Sequence, residues 1–375
     1  MRRGVLLLSL SMLLGVVSAA SAETPAAILA LSEKVADWQL SHIGEPVPHQ
    51  RPETFAPRDW VMGAFYVGLT ALADQKPRYT AAILHAGEAQ GWQLGDQLYH
   101  ADHHVIGQTW IWSYEKSHDA KMIAPMRARF DAVLASPPTN SLQFADPVSG
   151  KELPCQSRWC WCDALFMAPP AWFALSRVTG DGRYAAYADS EYALTTKTLF
   201  SEEDGLFYRD TRFLGKLGLH GERIFWARGN GWVYGGLARI LDILPEKAPE
   251  RQRYVDLFRK MSAALVKLQK KDGYWSGSLL DPTPDTVAET SGTGFFTYGL
   301  AYGVKHGLLP EPRYRQAAER GWAALAKAVD SDGRLGYVQP IGFAPDQVTK
   351  DDTQPFGVGA FLLAGSAMAA LEQKN

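Results

Sequence analysis

A single carboxylate, Asp163, stands in R-W-C-W-C-D-A-L-F-M-A-P-P (158–170) among Trp159, Trp161, Phe166 and Met167. An acid in that much apolar surface either caps a helix or is held with a raised pKa for proton transfer, because burial without a partner disfavours its charged form. Both readings put it at a helix start. The run A-L-F-M-A-P-P-A-W-F-A-L-S-R-V continues with apolar residues at helical spacing, and Asp is a favoured N-cap. Other polar groups recur in comparable places. Asp102 lies with His100, His103, His104 and Gln108 in H-A-D-H-H-V-I-G-Q-T-W, and Arg228 and Asn230 lie in F-W-A-R-G-N-G-W. Glu289 and Ser291 fall in A-E-T-S-G-T-G-F-F, and Asp352, Thr353 and Gln354 precede the last helical run. Singly, Asp102, Asp163, Asn230 and Ser291 read as caps. Jointly, two acids, an arginine, several indoles and a tyrosine suit one pocket, provided that the helices carrying them converge.

Two carboxylates suggest glycoside chemistry, with one acid protonating and the other activating water across a pocket walled by Trp226, Trp232 and Trp275. Asp163 and Asp102 are the catalytic pair in this reading. Arg228 adds what a neutral-sugar glycosidase does not need: a planar guanidinium matches a carboxylate bidentately, which points to a uronate. Arg209 and Arg212, in L-F-Y-R-D-T-R-F, either supplement it or are solvated hairpin residues. Tyr66, His103 and Glu289 complete the expected substrate-binding set with Arg228, Arg209, Trp226 and Trp232.

The elements that must position these groups are nearly all helices. Helical periodicity begins at 26–41 and is broken by a Pro-rich passage at 45–57. It resumes at 59–74, 79–90, 102–117, 121–136, 163–178, 183–199, 229–244, 250–270, 290–306, 312–329 and 355–372, so that about twelve helices form six pairs. Arg78-Tyr79, Arg183-Tyr184, Arg253-Tyr254 and Arg313-Tyr314 each open the second helix of a pair. First helices such as N-G-W-V-Y-G-G-L-A are apolar nearly all round, whereas second helices such as R-Q-R-Y-V-D-L-F-R-K-M keep one polar face. Alternating buried and half-exposed helices imply an all-α (α/α)6 toroid of six helical hairpins. Asp204-Gly205, Asp272-Gly273 and Asp332-Gly333 each precede a short β-prone run, which places short β-hairpins on one rim around the pocket.

Residues 1–22 have a basic start, an apolar run and an A-x-A ending, the pattern of a cleavable secretory signal that is too short for a membrane anchor. Residues 23–375 are read as one catalytic domain, exported to the periplasm or secreted. The formal net charge of -2 falls to -4 once Arg2 and Arg3 leave with the signal, which lacks the basic footprint of a nucleic-acid binder. The expected partner is a small oligosaccharide, with no nucleic acid and no membrane. In an oxidising compartment Cys155 can bridge to Cys160 or Cys162, pinning the loop that presents Asp163 and leaving one thiol free. A metal site with His100, His103 and His104 is the sharper alternative, but C-x4-C-x-C fits no zinc pattern. No metal and no cofactor are expected.

At these residues the chain resembles the unsaturated glycuronyl hydrolases of glycoside hydrolase families 88 and 105, particularly the unsaturated rhamnogalacturonyl hydrolases of family 105. The carriers are A-D-H-H-V-I-G-Q, W-C-D-A-L-F-M-A-P, G-L-F-Y-R-D, F-W-A-R-G-N-G-W, E-T-S-G-T-G-F-F and F-G-V-G-A-F-L-L-A-G, spread over about residues 30–370. The resemblance implies an (α/α)6 barrel that does not attack the anomeric carbon directly. It implies that Asp163 protonates C4 of a 4,5-unsaturated uronic acid and activates water to add at C5, with Asp102 orienting it and with Arg228 and Trp226 holding the uronate. Arg209 stands where relatives often carry His. The substrate so implied is an unsaturated galacturonyl-rhamnose fragment of pectin. The alternatives are unsaturated glucuronyl fragments of ulvan or glycosaminoglycans, an inverting glycosidase using Asp102 and Asp163 on saturated sugars, and a helical-repeat binding scaffold.

Overall fold

The computed structural model describes residues 23–45, 58–146, 148–283 and 287–373. Residues 1–22, expected to be a secretory signal, and most of the Pro-rich passage lie outside the described residues. Thirteen α-helices are present among them: α1 Pro25–Ser41, α2 Trp60–Gln75, α3 Thr80–Ala89, α4 Gly107–Ser117, α5 Ala124–Ala135, α6 Ala164–Met167, α7 Pro169–Thr179, α8 Gly182–Leu199, α9 Ala227–Ile243, α10 Arg251–Leu268, α11 Thr290–Lys305, α12 Arg313–Lys327 and α13 Pro355–Glu372.

The helix expected over 163–178 is two helices. Pro169 and Pro170 lack the N–H groups that would continue the ladder, so α6 stops after one turn and α7 restarts with proline in its first turn. With α6 and α7 counted as one interrupted helix, the six pairs are as expected. The inner members α2, α4, α6/α7, α9, α11 and α13 touch in that order, and α13 packs back on α2, which closes the ring. Helix α13 is apolar enough to cross a membrane by composition, but most of it is buried among its neighbours in the ring.

The Arg-Tyr repeat binds the outer ring. The Tyr79 hydroxyl donates to Asp37 on α1, Tyr184 to Asp131 on α5, and Tyr254 to Asp189 on α8, and in each case the adjacent arginine pairs with the same aspartate. Each tyrosine bond contributes about 1 kcal/mol net. The Asp-Gly turns fasten pair to pair as well. Gly333 has φ 104° and lies against α1, where an added Cβ would come within 2.7 Å of the Lys34 carbonyl oxygen. Lys34 Nζ donates back to Ser331 O at 2.5 Å, so the last turn of the chain locks onto its first helix. Only one rim loop forms a regular hairpin among the described residues, β1 Phe200–Ser201 with β2 Leu206–Phe207; the turn at 330–334 makes a single bridge, Val329 with Leu335.

Candidate active site

Asp163 precedes α6 on a segment fastened from several sides. Cys155 and Cys160 form a disulfide, and Cys162 is a buried free thiol. Arg158 makes a two-point ion pair with Glu191 of α8, at 2.6 and 2.9 Å. Trp161 bridges to Asp210, and Cys162 N donates to Arg209 O at 2.8 Å, so the loop after β2 is held alongside. Asn230, expected as a cap, instead staples that loop to α9: its Oδ1 accepts from Phe207 N and its Nδ2 donates to Phe207 O.

Asp163 has helical φ/ψ (-60°, -31°) and its carboxyl caps no backbone N–H, which corrects the capping alternative. Its contacts are the Cys162 thiol, 3.5 Å from Oδ2, and Arg209 Nε, 3.6 Å from the same oxygen. Burial raises its pKa, and the opposing charges of Arg209 and Arg228 do not cancel that rise. Asp102 sits on a 3-10 turn, Ala101–His104, ahead of α4. It is pushed up to about 8, first by burial and then by repulsion from Asp163. The two carboxyls are therefore coupled, and both are held above the ordinary carboxylate range. His100 Nδ1 lies 3.9 Å from Asp102 Oδ2, and its ring packs on Trp161. Burial, with the nearby His103 and Arg209, drops the His100 pKa to about 4, so this imidazole is neutral near pH 7.

Three buried polar atoms in this cluster have no protein partner: Asp102 Oδ1, His100 Nδ1 and Arg209 Nε. Buried polar atoms are normally satisfied, and a group of orphans beside two raised carboxyls is what a site awaiting a polar ligand leaves behind. Arg209 is itself braced. Its Nη1 donates to Asp210 Oδ2 at 2.7 Å, and Arg212 grips the same aspartate, which these guanidiniums hold below the usual carboxylate range despite its burial.

Several residues expected to touch substrate are already engaged by the protein. Arg228 is 1% exposed, with Nη1 and Nη2 donating to Gln339 O (2.6 Å) and Pro340 O (2.8 Å). Its guanidinium lies between Trp226 at 4.3 Å and Phe356 at 4.9 Å, so it is a fixed charge behind Asp163 rather than a free clamp. Burial lowers its pKa to about 10, which leaves it cationic. Trp226 donates Nε1 to Gln339 Oε1 at 3.0 Å, and Trp232 is buried against Phe166 and Phe295. Trp275 donates to Leu265 O within the core, so neither Trp232 nor Trp275 is a pocket wall. Glu289 is the N-cap of α11: Oε1 accepts from Ser291 N and Oγ, and Oε2 from Gly292 N. His103 Nδ1 accepts from Gln97 N, and the His104 ring lies between Leu98 O and Trp172 Nε1. Tyr66 is buried in α2, and its hydroxyl meets no hydrogen-bond partner among the described residues.

Sequence reasoning missed Gln339, Asp210 and Cys162 as parts of the site. Gln339 follows the third Asp-Gly run and Asp210 follows Arg209, but nothing local says that the first holds Trp226 and the second two arginines. A cavity of about 530 Å³ occupies the other mouth of the ring, among Asp74, Glu115, Arg177 and Arg239. Two of its acids, Asp74 and Glu115, are exposed and paired with Lys116 and Arg177.

A closed ring of six helical hairpins, with a buried acid and a half-buried one where inner helices begin, is the frame of a helical-toroid glycoside hydrolase. The comparisons agree: the chain belongs to Glycosyl Hydrolase Family 88, whose family model matches residues 31–371. It is 41% identical over 350 residues to the unsaturated 3S-rhamnoglycuronyl hydrolase of Alteromonas sp. (strain LOR), covering 90% of this chain and 84% of that protein. It is 37% identical to the protein of the same name from Formosa agariphila, covering 91% and 90%. The solved structure of a glycosyl hydrolase family 88 protein from Bacteroides vulgatus superposes with a TM-score of 0.80 at 25% identity, over 93% of this chain and all of that one.

Proposed function

We propose that this enzyme hydrolyses 4,5-unsaturated uronyl oligosaccharides by hydrating the C4=C5 bond, with Asp163 as general acid and then general base. The protonated carboxyl gives its proton to C4, leaving positive charge shared between C5 and the ring oxygen. Water adds at C5 and returns a proton to the carboxylate. The hemiketal then opens, releasing the aglycone and a 4-deoxy-5-keto uronate. One observation carries the reading: a buried carboxyl of raised pKa beside a second raised carboxyl and a braced guanidinium with an orphaned Nε. A group that must donate and then accept a proton works best with a pKa near the working pH, which burial supplies here. Asp102 and His100 present unsatisfied acceptors for sugar hydroxyls, and Arg209, rather than Arg228, offers the free N–H for an anionic group.

For the substrate, the names of the two rhamnoglycuronyl relatives support a uronyl group linked to 3-sulfated rhamnose over the pectin fragment expected from sequence. Export to the periplasm or medium belongs to the same proposal and is supported by the Cys155–Cys160 disulfide. The test uses the ultraviolet absorbance of the unsaturated uronide. Purified protein should bleach a lyase digest of a sulfated glucuronyl-rhamnose polysaccharide faster than a rhamnogalacturonan digest, and Asp163→Asn should bleach neither. The reverse preference restores the pectin assignment, and activity confined to saturated oligosaccharides supports an inverting glycosidase instead.

A further inference from the structure

The side-chain contacts of the Asp163 carboxyl fall on one oxygen, Oδ2. The Cys162 thiol donates to Oδ2 at 3.5 Å, and Arg209 Nε brings its charge to 3.6 Å from the same oxygen without a hydrogen bond; no other side chain among the described residues donates to this carboxyl. We propose that Cys162 is a positioning residue: with Arg209 its thiol reserves Oδ2, and so leaves Oδ1 as the oxygen that gives up and recovers the catalytic proton. This rests on the reading of Asp163 as the general acid.

The placement of the thiol is specific. Cys155 and Cys160 consume each other in the disulfide, so the third sulfur keeps its proton and can donate it. It is fully buried against the first turn of α9, where a Cβ added at Gly229 would come within 3.0 Å of Sγ. Glycine there leaves room for the sulfur. The same residue donates its backbone N–H to Arg209 O at 2.8 Å, so Cys162 orients both the carboxyl and the segment that carries the guanidinium. Burial and the facing Asp163 push the thiol pKa well up, which keeps it a donor. A proton on Oδ2 would face the thiol donor and the guanidinium charge already at that oxygen, whereas no neighbouring side chain among the described residues donates to Oδ1. When Oδ1–H protonates C4, the C4=C5 electron pair forms the new C–H bond. The water that adds at C5 returns a proton to Oδ1, so the carboxyl ends the cycle as it began.

The charged groups around this carboxyl come from several elements: Asp102 from the turn before α4, Arg209 and Asp210 from the loop after β2, and Arg228 from α9, opposed by Glu289. Asp59, ahead of α2, acts on Asp102. None of them changes in a Cys162 variant, so the pH profile isolates the thiol.

The experiment compares Cys162→Ser and Cys162→Ala with the native enzyme in kcat/KM against pH, with thermal melts to confirm folding. A donor to the carboxylate favours its charged form, and a hydroxyl donates more strongly than a thiol. The alkaline limb should therefore move down in Cys162→Ser and up in Cys162→Ala, by about half a pH unit each, with KM changed less than about threefold. Limbs that stay put, or that move together, overturn the proposal, since a purely structural role lowers stability without opposite displacements. Asp163→Asn separates the two levels. If it is inactive while the Cys162 limbs do not move, only the positioning role falls; if it is fully active, the general-acid reading falls as well.

Discussion

Two carboxylates stand at the starts of inner helices, Glu289 before α11 and Asp163 before α6, and the fold gives them opposite surroundings. Glu289 is in extended conformation (φ -129°, ψ 113°), which turns its side chain back over the first turn to collect Ser291 N, Ser291 Oγ and Gly292 N. Asp163 is already helical (φ -60°, ψ -31°), which points its carboxyl away from the amides that follow. Glu289 is 1% exposed and satisfied; Asp163 is 7% exposed, and the side chains that meet its carboxyl among the described residues are a thiol and the edge of a guanidinium. The difference shows that the backbone angle at the helix start, more than the residue type, decides whether an acid caps the amides that follow or is turned away from them.

The contrast breaks most sharply at Asp163. Asp163→Asn should lower kcat by roughly 10²- to 10⁴-fold, the usual contribution of a positioned acid/base, while leaving the melting temperature equal or higher. A large loss of stability in that variant would mean that the carboxylate is structural after all. Glu289→Ala should do the reverse, lowering stability by about 1–2 kcal/mol through the lost cap and reducing kcat less than tenfold. Chemical denaturation and steady-state rates read both variants in one set of samples. A smaller effect sharpens the picture of the paired acids. The folded-state pKa of Asp102, about 8, lies above its ordinary value of 3.8, so its proton stabilises the fold at low pH, and that stability is lost as pH rises from about 4 through 8. Asp102→Asn has no such dependence. Its melting temperature relative to the native enzyme should climb across pH 4–8 and level off above; a flat difference would mean that Asp102 is not buried as described.

Much of the frame was legible because it repeats. The Arg-Tyr starts, the Asp-Gly turns and the alternation of apolar and one-sided helices each follow from local pattern, and they gave six pairs and a closed ring. The break at Pro169 was in the sequence too, but the apolar periodicity running through it hid the stop that two prolines impose. Around Asp163, the local sequence did not show which of the expected residues the protein itself engages. Arg228 looked free because its acceptors, Gln339 O and Pro340 O, come from a loop more than a hundred residues away. Trp232 and Trp275 looked like sugar platforms because an indole that fills a core has the same signature as one that lines a pocket. Arg209 gained in importance for the same kind of reason: only Asp210 and Arg212 in place show that its guanidinium is braced toward Asp163.

The central claim is that Asp163 holds its proton where an ordinary aspartate would not. The direct measurement is a carboxyl titration, by carbon-13 NMR of aspartate-labelled protein or by infrared difference spectroscopy, with Asp163→Asn used to assign the signal. The account requires an apparent pKa clearly above the ordinary aspartate value of 3.8, and a further shift when Asp102 is changed to Asn, since the two acids titrate as a pair. A carboxyl that ionises at or below 3.8 and ignores Asp102 would contradict it.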